Sequence, residues 1–241
     1  MPVTLPRICP IQRGLVVAVA FGVLQLGSIG MALAGPDCRA DPAPGIDWTE
    51  CDKKLIILKG ADLNAAALTD VNFTSTDLRD ANLLAANFEK ATLVRASLAG
   101  SNAKGANFSR IEAYRTDFSG IQAQDAVFAS AEMQRSTFSG ASLVNADFTK
   151  AELGRTEFLD ADITGSKFPL ANLARADLSK ARFSGPIDFA GSFFFLTRIE
   201  GLDLTAATGL AQWQIDMSCG DGDTRLPAGL DPSSSWPCTF D

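Results

Sequence analysis

The stretch that decides the fold is Asn145-Ala146-Asp147-Phe148-Thr149, followed by Lys150-Ala151-Glu152-Leu153-Gly154. Phe148 and Leu153 stand five apart, and so do their counterparts along most of the chain. In steps of five from Leu58 to Phe183 there are 26 positions, and every one is apolar, which marks them as one buried column. Two residues ahead of each runs a second column, Ala61, Ala66, Val71, Thr76, Ala81 and onward to Ala181, small or uncharged throughout. Asp, Asn, Ser, Glu, Lys, Arg and Gly fill the positions between.

A five-residue period is not a helix stripe, because five residues turn about 500° and the stripe drifts about 140° per repeat. It is not a flat strand either, because an odd period sends successive apolar residues to opposite faces. It works if the chain turns a corner every five residues, so that each central residue points inward. Four such corners close a square coil of 20 residues, and coils stack by β-type hydrogen bonding about 4.8 Å apart.

Gly60-Ala61-Asp62-Leu63-Asn64, Asp80-Ala81-Asn82-Leu83-Leu84 and Asn145-Ala146-Asp147-Phe148-Thr149 resemble the pentapeptide-repeat proteins, with an inward Leu or Phe and a small residue two before it. The resemblance implies an all-β solenoid, a right-handed quadrilateral β-helix of about 7 coils. Residues 20 apart are then expected to stack. Phe88, Phe108, Phe128, Phe148 and Phe168 make one column, and Phe118, Phe138 and Phe158 another on the opposite wall. Smaller residues occupy the other two walls, and Ile111 and Ile121 refill the space beside Ala113 and Ala123.

Outward from the repeat, residues 1–34 read as a signal peptide. Arg7 and Arg13 precede an uncharged run from Gly14 to Ala34 that ends Ala32-Leu33-Ala34, ahead of Gly35-Pro36. The competing reading is a retained membrane anchor. Cleavage would leave no stable membrane span and 19 basic against 28 acidic residues, a charge of -9. The expected address is exported, periplasmic or secreted. Cys38, Cys51, Cys219 and Cys238 would remain as two local pairs, 38–51 and 219–238, each closing a short loop.

Residues 35–55 read as an N-terminal cap, 56–207 as the β-helix, and 208–241 as a C-terminal helix with an irregular capping tail, since open coil ends need covering. The register slips by one across Ser184-Gly185-Pro186-Ile187-Asp188-Phe189 and resumes at Phe194, Ile199 and Leu204. Thr208 to Ser218 is expected to form a short helix with Trp213 and Ile215 or Met217 turned onto the open end. Phe193 and Phe195 flank an inward Phe194 and should point outward, where either the tail with Trp236 covers them or a homodimer seam forms through the C-terminal end.

The chain contains no histidine, which removes the imidazole base and the imidazole metal ligand. No nucleophile elbow, phosphate loop or metal-ligand cluster appears, so no catalytic or metal residues and no cofactor are expected. Asp221-Gly222-Asp223 lacks the remaining ligands of a calcium loop and reads as a turn. One surface feature stands out: Arg95, Arg115, Arg135, Arg155 and Arg175 are all 20 apart and form a candidate anion-docking ladder, beside a column of Glu112, Glu132 and Glu152. The plainer expectation is that each Arg pairs with a neighbouring carboxylate.

Together these residues point to a non-enzymatic exported scaffold that presents charged walls to a protein or an anionic envelope polymer, not to nucleic acid. The family resemblance supplies an alternative. Some pentapeptide-repeat proteins mimic duplex DNA in shape and acidity and bind DNA gyrase. The export signal and the Arg ladder both sit badly with that role.

Overall fold

The computed structural model describes Met1 and residues 35–239; the rest of the expected leader, 2–34, lies outside the described residues. Ala34–Asp241 forms one compact unit. Its backbone is a stack of parallel bridges between residues 20 apart, from Asp47↔Ala67 and Asp52↔Asn72 through to Asp162↔Arg182. A corner every five residues leaves room for one bridge per repeat and no longer strand.

Residues 147–151 explain why the repeat reads as it does, because all five of their N–H groups have a partner. Asp147 N–H donates to Ala126 O (3.0 Å) and Phe148 N–H to Lys167 O (2.7 Å), the coils below and above. Lys150 N–H donates to Pro169 O (2.9 Å), and Ala151 N–H closes the turn onto Phe148 O (3.0 Å). The remaining N–H, that of Thr149, reaches the Asp147 carboxylate at 2.8 Å. An Asp or Asn before the inward residue is therefore the acceptor for the one amide the coils leave over. Asn also links coils, with Asn107 Nδ2 donating to Asn87 Oδ1 at 2.9 Å.

From Gly45 to Arg175 the fifth residue of each repeat sits in the left-handed region, from φ +54° at Ala65 to +70° at Gly100, as a type II turn requires of its third residue. Glycine occupies only some of these corners; Lys, Arg, Asp and Leu occupy others.

Inside, Phe88, Phe108, Phe128, Phe148 and Phe168 stack with ring centroids 4.8–4.9 Å apart, and Phe189 continues the column at 5.3 Å. Phe118, Phe138 and Phe158 form the second stack and meet the first edge-on, as in Phe128–Phe138 at 5.7 Å and 86°. Hydroxyls replace alanine in the small column where they can reach a carbonyl. Ser136 Oγ donates to Ala113 O and Thr116 Oγ1 to Leu93 O, both at 2.6 Å. Ser101 Oγ, equally buried, has no partner.

Both ends depart from the sequence reading in detail. At the N-terminus the bridging starts at Asp47, so the residues assigned to a cap already contain a coil. Trp48 fills an inward position and is fully buried, while Lys53 fills the next and lies over its ring at 3.7 Å. Burial pushes the Lys53 ammonium below its ordinary value. Across the slip, bridges join residues 21 apart, as in Lys167↔Asp188 and Asn172↔Phe193. β1 (Ile187–Asp188) pairs in parallel with β2 (Ala207–Thr208). Bridging runs on to Arg198↔Cys219 and Asp203↔Arg225, so part of the tail extends the stack.

α1 spans Gln212–Met217, shorter than 208–218, because Ala207 and Thr208 are held in β2. Trp213 is not turned onto the open end: it is 46% exposed, and Gln214 and Ile215 take the buried face. Gln214 succeeds there because its Nε2 donates to Phe189 O and Ser192 O, both at 3.0 Å, satisfying carbonyls that an indole could not reach in pairs. Trp236 does not cover Phe193 and Phe195. It packs on Gly220, where an added Cβ would meet the ring at 2.6 Å, and its Nε1 donates to Ser218 O at 2.8 Å. The Cys38–Cys51 and Cys219–Cys238 sulfurs lie at disulfide distance, with Cα atoms 5.4 Å apart in each pair.

Candidate functional site: an arginine column on one corner

The five arginines of the ladder fall on a single corner. Each is the fifth residue of its repeat, and each is held at positive φ: +57° at Arg95, +56° at Arg115, +61° at Arg135, and +59° at Arg155 and Arg175. Their amides tie them to the coil above, as in Arg135 N–H to Gly154 O (2.9 Å) and Arg155 N–H to Ala174 O (2.9 Å). With coils about 4.8 Å apart, the five anchor points span about 19 Å. All five residues are exposed.

The pairing expected of them does not occur. Among the described residues none of the five guanidinium groups makes an ion pair, and Arg115 alone has a ring beside it, Tyr114 at 5.2 Å. The reason lies in the corner geometry. The Glu112, Glu132 and Glu152 column belongs to the bridging position, three residues earlier and on the far side of the turn. Asn172 meets one of those carboxylates instead, donating to Glu152 Oε2 at 2.7 Å.

Other basic residues do pair. Arg79 donates two bonds to the Asp77 carboxylate, from Nε at 2.8 Å and Nη2 at 2.6 Å, and holds it down at about 2. Arg198 bridges to Asp177 at 2.8 Å and Glu200 at 3.2 Å. A second left-handed corner carries Lys90, Arg110 and Lys150 at φ near +60°. Here Arg110 meets Glu89 at 3.3 Å and Lys90 lies 4.0 Å from Asp70. The same 20-residue spacing marks this column in the sequence, where it passes unnoticed because Ser130 interrupts it.

The aromatic pair continues the wall of the ladder. Phe193 sits in the coil above Asn172 and Phe195 above Ala174, each a little over 40% exposed, with their rings stacked on each other at 6.2 Å. Asp221 proves to be a turn residue: its Oδ1 accepts from Gly201, Asp223 and Thr224 N–H, each at 3.0 Å. The Gly201 bond leads in holding its carboxyl below the ordinary range. Among the described residues no group of His, Cys, Asp or Glu is arranged to hold a metal ion, and no helix is long and apolar enough to cross a membrane. The open grooves lie on the outer walls; one of about 350 Å³ is bounded by Glu157, Leu159, Asp177, Lys180 and Arg198.

A family model for pentapeptide repeats matches eight copies between residues 56 and 185, more than half of the chain. The chain belongs to the pentapeptide-repeat family. Among solved pentapeptide-repeat structures, it resembles HetL, involved in heterocyst differentiation regulation in the cyanobacterium Nostoc, at a TM-score of 0.51 and 24% identity over 68% of this chain and 83% of that one. That likeness carries the right-handed β-helix solenoid as the fold. It also aligns with QnrB1, a plasmid-mediated fluoroquinolone resistance protein, at 19% identity and a TM-score of 0.42 over 77% of this chain and 84% of that one. A third alignment is to a pentapeptide-repeat protein of the Arabidopsis thaliana thylakoid lumen, at 25% identity and a TM-score of 0.24 over 44% and 67% of the two chains. No curated protein matches the sequence significantly.

Proposed function

We propose that this pentapeptide-repeat protein is a non-enzymatic exported scaffold, a rigid quadrilateral rod of about 7 coils over residues 56–207 that works through what its outer walls display. One observation carries the reading: the interior is filled by side chains that do no chemistry, while outside it a column of five arginines has no ion-pair partner among the described residues. Arg79, Arg110 and Arg198 each meet a carboxylate on the neighbouring walls. Five that do not, on successive coils, form a surface still open to a partner. The basic-apolar-small pattern of residues 1–34 and the cysteine pairs fit an oxidising, exported address.

The experiment is to make the full chain in a host with an export pathway, fractionate the cells and sequence the N-terminus of the recovered protein. A form beginning at Gly35, outside the cytoplasm and with both cysteine pairs oxidised, is expected. Intact protein held in the cytoplasm with free thiols would refute the address and return the DNA-mimic alternative to first place.

A further inference from the structure

We infer that the arginine corner is a docking edge for a single chain of an acidic polysaccharide, a polymer that carries a carboxylate and hydroxyl groups in each unit. The inference deepens the scaffold reading and rests on it for the compartment alone. Three features of the corner choose the ligand class.

First, the basic strip is one residue wide. Glu112, Glu132 and Glu152 run along one side of it, and Asp117, Glu157 and Asp177 run along the other. A broad anionic surface such as a lipid headgroup layer would meet those acid columns as well as the arginines and be repelled. A single strand laid along the corner sets its anions on the guanidinium groups and reaches the flanking acid columns only with its edges. Second, five anchor points about 4.8 Å apart present repeated forks to regularly spaced anions over about 19 Å, geometry suited to planar carboxylates. Third, the glutamate column beside the ladder offers acceptors without donors. A polyanion lacking hydroxyl groups would face uncompensated carboxylates there, whereas sugar hydroxyls donate to them. Tyr114, beside Arg115, adds a ring face on which a sugar can stack.

The corner also holds its arginines at a conformational cost. Left-handed backbone is unfavourable for an L-residue, and the equivalent corner position is glycine at Gly100, Gly120 and Gly140. Lys, Asp, Ala and Leu bear the same cost at other corners, and what sets this corner apart is that arginine holds it on five successive coils.

The test uses the full chain and immobilised polygalacturonate, with two charge-matched variants. Arg115, Arg135 and Arg155→Gln removes the three central arginines of the ladder; Lys90, Arg110 and Lys150→Gln removes the same charge from the other corner. All six residues are exposed, and matched unfolding midpoints establish that both variants fold. The expected result is salt-sensitive binding that falls about tenfold or more in the ladder variant and changes less than about twofold in the other. Equal losses in the two variants, or no binding by the parent, would overturn the site. Tighter binding to polyphosphate than to polygalacturonate would overturn the sugar-acid assignment. Binding to anionic phospholipid vesicles that the parent shows and the ladder variant loses would do the same. Binding with failed export sinks only the scaffold's address, and export without binding sinks only the docking edge.

Discussion

Replacing Arg115, Arg135 and Arg155 together with glycine removes three side chains from corners held at φ +56°, +61° and +59°. An L-residue held in left-handed backbone gives up about 1–2 kcal/mol, and glycine gives up about 0.5–1 kcal/mol of chain freedom on folding. The difference leaves each substitution stabilising by about 0.5–1 kcal/mol and the triple by about 2 kcal/mol, and relief of the repulsion between guanidinium groups on corners about 4.8 Å apart adds to that sum. No ion pair is lost, since the three guanidinium groups make none among the described residues. Urea unfolding followed by far-ultraviolet circular dichroism is the assay, with the slope expected to stay that of the parent. In a chain of this size the gain corresponds to about 4–8 °C in Tm. A triple variant less stable than the parent would refute the reasoning, for it would mean that the arginine stems hold the wall together. The same variant should lose polygalacturonate binding, so that stability and function move in opposite directions.

Other consequences of the structure are as direct. Phe128→Ala opens a cavity between rings stacked on it at 4.9 and 4.8 Å and others edge-on at 6.1 and 5.7 Å. It should cost about 5 kcal/mol in urea unfolding, and a loss under about 2 kcal/mol would contradict a packed aromatic interior. Ser136→Ala strips Ala113 O of a 2.6 Å bond and should cost about 1 kcal/mol, whereas Ser101→Ala, whose hydroxyl bonds to nothing, should be neutral or stabilising. Asp77 is held at about 2 chiefly by its side-chain hydrogen bond from Arg79, against an ordinary 3.8. A depressed carboxylate stabilises above its unfolded value and loses that contribution as pH falls through the folded one. Thermal midpoints should therefore drop between about pH 4 and 2 by more in the parent than in Asp77→Asn, and parallel curves would rule the pair out.

How far the residues announced this molecule depends on which ones are asked. The five-residue column from Leu58 to Phe183 carried the solenoid, since no helix or flat strand buries such a period. The slip near Pro186 was legible because the apolar column breaks there by one residue and resumes at Phe189. Phe193 and Phe195 declared themselves as outward by flanking Phe194. What stayed hidden had a polar residue where the pattern wants an apolar one. Lys53 occupies an inward position at the first coil, which conceals Trp48 as the true start of the stack; its stem is covered while its ammonium rests on the indole. Gln214 turns in where Trp213 was expected, because two carbonyls at the end of the stack need donors more than the core needs another ring. The ladder itself could be read as a column from its spacing. Its left-handed corners could not, as arginine gives no sign of positive φ, and neither could its lack of partners, which depends on which side of a turn each carboxylate falls.

The central claim is that the chain closes a coil every 20 residues, and changing the repeat number tests it most directly. A second copy of residues 121–140 inserts one whole coil, keeping each Phe stack and the arginine column in line. A second copy of 131–135 inserts a quarter of one and sets every later column over the wrong wall. The first variant should lengthen the rod by about 4.8 Å in small-angle scattering and unfold at or above the parent's urea midpoint. The second should lose several kcal/mol. Equal tolerance of the two insertions would contradict the 20-residue coil, and with it the column of arginines on one corner.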